Sequence, residues 1–150
     1  MINDVKRKFY IFGFVAVVMT MVMTGCNKKD CNGDLDGMWQ LTEWRDKDNV
    51  VKATKQDMIF YSFQLQMACF RKRNGDDLLL HNTSLKVSPE QVYIYDPVEY
   101  MGDGHDKVQP MSVLSPYGVP EDGIFLIQVL TSSTMQLRTN GQDVLTFRKY

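Results

Sequence analysis

Ile59-Phe60-Tyr61-Ser62-Phe63-Gln64-Leu65-Gln66-Met67 places an apolar side chain at every second position. Ile59, Tyr61, Phe63, Leu65 and Met67 share one face, against Phe60, Ser62, Gln64 and Gln66 on the other. A period of two sends alternate side chains to opposite sides of a sheet, so the run predicts a strand with one face in a core. The same pattern recurs on either side. Trp39 and Leu41 alternate with Gln40 and Thr42, and Leu78 to His81, Leu85 to Val87 and Gln91 to Tyr95 read as further short strands.

Toward the C-terminus, Ile124 to Leu130 is apolar except for Gln128, and Thr131-Ser132-Ser133 turns it. Met135 and Leu137 alternate with Gln136 and Arg138, Asn140-Gly141 supplies a hairpin signal, and Leu145 and Phe147 complete a three-strand meander. Residues 45–57 have room for one short turn of helix at most. The sum is an all-β domain of about eight antiparallel strands, closed as a barrel or stacked as a sandwich.

Between Asp96 and Gly123 the alternation fails. Pro97, Pro110, Pro116 and Pro120 fall here with Gly102, Gly104 and Gly118, so 97–122 reads as an irregular insert of the kind that is usually functional. Val108 to Leu114 has the composition to hide one more strand. Tyr100, Met101 and Tyr117 would serve as a lid or a partner contact if the loop exposes them.

The N-terminus has a different character. Lys6-Arg7-Lys8 precedes the apolar run Phe9 to Met23, which ends on Thr24-Gly25-Cys26. A basic segment, a short apolar segment and a small-residue cleavage site make a secretory signal, and the apolar part falls short of the ~20 residues that span a bilayer. Ending on Gly-Cys, it resembles a bacterial lipoprotein signal. That resemblance implies residues 1–25 as a removed leader and Cys26 as the acylated, palmitate-type anchor. Residues 26–34 then form a polar tether and 35–150 the domain.

The chain of 150 residues carries a formal charge of −1, and loss of residues 1–25 leaves 125 residues at −3. That suits one domain and no nucleic-acid partner. Arg71-Lys72-Arg73 stands beside Asn74-Gly75-Asp76-Asp77 and reads as one side of a charged hairpin. Cys31 and Cys69 are an even pair in an exported chain, compatible with a disulfide. The alternative is a loose thiol in the tether and a small buried hydrophobe.

Gly37-Met38-Trp39 opens the first strand with a Gly-x-Trp that resembles the lipocalin signature. In that family the Trp closes one end of the barrel under a basic residue of the last strand, and Arg148 is the residue expected there. With the lipoprotein signal, the tether, Leu114-Ser115-Pro116-Tyr117-Gly118-Val119 and Leu145-Thr146-Phe147-Arg148-Lys149, the whole is similar to the lipocalin-like lipoproteins of Bacteroidetes. The resemblance implies a barrel held at the outer membrane of the cell envelope, facing the periplasm or the exterior. No C-terminal helix pattern is present, so it implies no deep calyx.

Catalytic and metal chemistry find little support. Gly102-Asp103-Gly104-His105-Asp106 has carboxylates beside an imidazole, but it lacks the further oxygen ligands of a calcium loop and the second His or Cys of a zinc site. It reads as a polar turn. His81 has no nucleophile elbow near it in sequence. The expectation is therefore no enzyme, no cofactor and no metal.

The aromatic face is the better candidate. Tyr61, Phe63 and Met67, with Tyr93 (or Tyr95) and Phe125, combine aromatic bodies, polar tips and a flexible Met, which suits a small apolar or amphipathic ligand. The same residues would equally pack the core. An envelope protein or glycan bound through 97–122 is the other partner class.

Overall fold

Ten strands follow one another: β1 (Gly37–Arg45), β2 (Val51–Thr54), β3 (Ile59–Gln64), β4 (Met67–Asn74), β5 (Asp77–Val87), β6 (Gln91–Glu99), β7 (Lys107–Val108), β8 (Ile124–Leu130), β9 (Thr134–Thr139) and β10 (Val144–Lys149). The computed structural model describes residues 31–74, 77–99 and 107–150. The strand order is β10-β9-β8-β6-β5-β4-β3-β1, and β10 pairs back onto β1. Eight antiparallel strands thus close a barrel, which excludes the sandwich. β2 adds to the end of β1, and β7 to the end of β6.

The opening run behaves as expected only to Gln64. Leu65 has φ +57° and Gln66 follows it in a tight turn, after which Gln64 pairs with Met67 at the start of β4. The nine-residue strand is therefore a shorter strand plus a turn, and Leu65 and Met67 leave the core face. Downstream, Leu78 to His81 and Leu85 to Val87 are one strand, β5. Strand β6 runs past Tyr95 because Asp96, at φ +48°, and Pro97 form a bulge between the Ser84–Tyr95 and Asn82–Val98 pairs. A bulge tolerates proline, which has no N–H to give the ladder.

The barrel has two unlike ends. At the first end the chain enters: a 3-10 turn, Gly33–Leu35, leads into β1, and Trp39 Nε1 donates to Leu35 O at 2.8 Å. Residues 31–34, expected in a free tether, are fastened to the domain. Asn32 Nδ2 donates to Leu65 O at 2.8 Å and Lys149 Nζ to Asp34 O at 2.8 Å. At the second end a 3-10 helix, Met111–Tyr117, covers the opening. This is where a strand was expected over Val108 to Leu114. Its Leu114 and Tyr117, with Val119, are buried.

The interior is filled by aromatic rings. Tyr61 lies 4.6 Å from Phe147 and 4.6 Å from Phe70, centroid to centroid, and Phe70 lies 5.8 Å from Tyr117. Edge-on and tilted contacts of this kind add stability beyond area burial.

Candidate functional site

Of the five residues expected to line a ligand site, Tyr61, Phe63 and Phe125 point into the barrel and are fully packed. Tyr61 donates its hydroxyl to Tyr117 O at 2.8 Å, so its polar tip is committed to the covering helix. The Tyr117 hydroxyl in turn lies 3.0 Å from His81 Nδ1. Burial pushes the Tyr61 phenol well above its ordinary range and Tyr117 up to about 12, with the nearby Cys69 thiol adding to the latter. Both rings are neutral hydrogen-bonding posts. They hold the helix down and are no acid–base pair for chemistry.

Met67 and Tyr93 do not share the inner face expected of them. Met67 begins β4 on the outer wall, 55% exposed, because the turn at Leu65 reverses the phase of the alternation. In β6 the aliphatic Val92 and Ile94 take the inner face, so Tyr93 and Tyr95 face outward. There the two rings stack at 5.1 Å and 14°, and Lys86 Nζ lies 5.0 Å from the Tyr95 ring.

Barrel closure also departs from expectation. Trp39 is buried at the closed end, but the cation over it is Lys149, with Nζ 4.8 Å from the ring centroid. Trp39 pairs directly with Lys149, while Arg148 pairs with Gln40 on the outer wall. Arg148 Nε and Nη2 both donate to Gln40 Oε1, at 3.2 and 3.0 Å. Gly37 has a role in the closure: at φ +112°, a Cβ there would press on Lys149 Cε.

Cys31 and Cys69 stand as free thiols, not a disulfide. Cys69 is on the outer side of β4 opposite Ser62 and Asn82. Cys31 lines a groove. The residues of the leader and Cys26, and the cluster Gly102 to Asp106 with Tyr100 and Met101, lie outside the described residues. Among the described residues, no three His, Cys, Asp or Glu side chains come together as a metal site.

Among the described residues, that groove is a concave feature with room for a small ligand. It is an open groove of about 690 Å³ beside the β3–β4 turn, between Cys31 and Asn32 on one side and the end of β5 and the middle of β6 on the other. Leu65, Met67, Leu85, Val87 and Tyr95 give it an apolar floor and walls, with Gln66, Asn32 and Lys86 as polar groups at its margin. The volume lies in the usual range for small-ligand sites, about 300–1,000 Å³. Sequence reading picked out Met67 and Tyr95 but not the groove, because its walls come from segments far apart in the chain.

Comparison with known proteins agrees with this architecture. A family model described as a lipocalin-like domain matches residues 21–150. A solved structure of a lipocalin-like protein from Bacteroides uniformis superposes with a TM-score of 0.60 at 25% identity, covering 79% of this chain and 100% of that one. An uncharacterized protein from Bacteroides eggerthii gives 0.58 at 25% identity, over 77% of this chain and 99% of that one. The NMR structure of a protein from Burkholderia xenovorans, at 16% identity and a TM-score of 0.50 over 85% of this chain and 94% of that one, shares the fold. No curated protein matches the chain.

Proposed function

The chain belongs to the lipocalin-like domain family, and from that premise we propose that it is a non-enzymatic, lipid-anchored binding protein of the cell envelope. Its ligand is a small apolar or amphipathic molecule, and the site is the outer-wall groove between Cys31 and Tyr95. The observation that carries this reading is the pairing of the two spaces. The barrel interior is occupied by Phe147, Tyr61, Phe70 and Tyr117, each ring in contact with the next. The groove leaves Leu65, Met67 and Val87 open to solvent. The leader-like residues 1–25 ending before Cys26 support anchoring through Cys26 and a seat in the envelope, at the outer membrane.

A reading in which 97–122 is a detachable docking loop has less support. Leu114, Tyr117 and Val119 of that segment are part of the core. Its remaining candidates, Tyr100 and Met101, lie outside the described residues.

The test is titration with the amphiphilic dye anilinonaphthalene sulfonate. The folded protein should bind it saturably, and Met67→Asp should abolish that binding without loss of fold. Dye binding that survives Met67→Asp but is lost on tightening the interior would refute the groove.

A further inference from the structure

The groove opens at the end of the barrel where the chain enters. Cys31 lines it, and Asn32 is tied to Leu65 O. Cys26 precedes Cys31 by five residues, a reach of at most about 18 Å in extended chain. We propose that the occupant of the groove is bilayer phospholipid, with the anchor drawing the closed end of the barrel down onto the membrane surface. Leu65, Met67 and Val87 then sit at the boundary between acyl chains and headgroups, with Tyr95 and Lys86 at headgroup level. This rests on Cys26 being acylated and on the groove being an amphiphile site; it adds the identity of the amphiphile and the orientation of the domain.

Three observations support it independently of the tether. Leu65 holds a left-handed backbone at φ +57° and is 47% exposed. Asn or Gly is the low-strain choice at such a position. The leucine therefore presents apolar surface on a strained turn, where it is available for contact outside the domain. Next, the wall combines aliphatic residues with Tyr95, which stacks on Tyr93 beside the groove, and Lys86, the composition of protein surfaces that lie in the interfacial layer. Finally, among the described residues the lining contains Lys86 and no carboxylate, which complements an anionic phosphate.

The experiment uses the acylated protein in vesicles of phosphatidylethanolamine and phosphatidylglycerol with brominated acyl chains, and reads tryptophan quenching. Met67→Trp reports on the groove. Val108→Trp, at a 62% exposed position on β7 near the covered end, is the control. After subtraction of the Trp39 and Trp44 background, Met67→Trp should be quenched severalfold more strongly than Val108→Trp, and Lys86→Glu should reduce the difference. Equal quenching in protein whose acylation is confirmed by mass overturns the membrane seat and leaves dye binding in the groove intact. An unmodified Cys26 overturns it through its premise. A second readout needs no tryptophan: amide exchange at Leu65–Met67 should slow in the vesicle-bound protein relative to Cys26→Ser in solution. Unchanged exchange overturns the proposal.

Discussion

Lys149 Nζ lies 4.8 Å from the centroid of the Trp39 ring, and the two residues are direct partners across β1 and β10. The same ammonium donates to Asp34 O at 2.8 Å, so one side chain ties the first turn, the first strand and the last strand together. A cation over a partly desolvated indole contributes roughly 0.5–2 kcal/mol. A double-mutant cycle of Lys149→Ala with Trp39→Phe should return a coupling energy in that range by urea denaturation. The parallel cycle with Arg148→Ala should return none, although Arg148→Ala alone destabilises by leaving buried Gln40 without its partner.

The closure shows what could be read from the chain and what could not. Alternation places Leu145, Phe147 and Lys149 on one face and Arg148 on the other, so the residue over Trp39 is legible in the phase of β10, which the lipocalin resemblance that pointed to Arg148 does not carry. The strands were legible because one face of most of them is buried, which makes apolar alternation strict, whereas alternation is the same in a barrel and a sandwich and only the Gly37-Met38-Trp39 resemblance pointed to closure. In β6 both faces carry apolar bodies, Val92 and Ile94 against Tyr93 and Tyr95, and period alone cannot set the phase. At Leu65 no Gly or Asn marks the turn. At Asn140-Gly141 the marker was present but the loop is longer: Thr139 N donates to Asp143 O, and the positive φ falls on Gln142. The groove had no local signal at all, since residues 31, 65–67, 85–87 and 95 meet only after the barrel closes.

The covering helix is structural. Leu114 and Tyr117 stand three apart and both face the interior, the spacing a 3-10 helix eclipses. Leu114→Ala should cost about 2–5 kcal/mol, the range for truncating a buried leucine. Gly118 makes the seat tight: at φ +88°, a Cβ there would lie 2.8 Å from Leu145 Cδ2. Gly118→Ala should therefore also lower the thermal midpoint, and deletion of 107–122 should yield an unfolded chain by circular dichroism.

Tyr61 and Tyr117 give the domain an alkaline limit. Both phenols are held neutral by burial, with Tyr117 pushed up to about 12, whereas an unfolded tyrosine ionises near about 10. Between those values the unfolded chain binds fewer protons than the folded one, so stability is intact below pH ~10 and falls as pH rises toward ~12. Urea midpoints measured across this window should drop steeply. Tyr117→Phe should flatten the decline while lowering stability at neutral pH through loss of the contact to His81.

Leu65 should show a trade between stability and binding. Replacing it by Asn relieves a left-handed L-residue, a strain of about 1–2 kcal/mol for most side chains. Leu65→Asn is expected to raise the urea midpoint and, in the same protein, to weaken dye binding in the groove. A variant that loses stability would show that Leu65 serves the fold and not a ligand.

Photo-crosslinking tests the binding reading most directly. A single-chain amphiphile carrying an aliphatic diazirine would be irradiated with the folded protein and the modified residues mapped by mass spectrometry. The expected adducts fall on Leu65–Met67, Leu85–Val87 and Tyr95. Adducts on Tyr61, Phe63 and Phe125, with the groove unmodified, would contradict it and place the ligand inside the barrel.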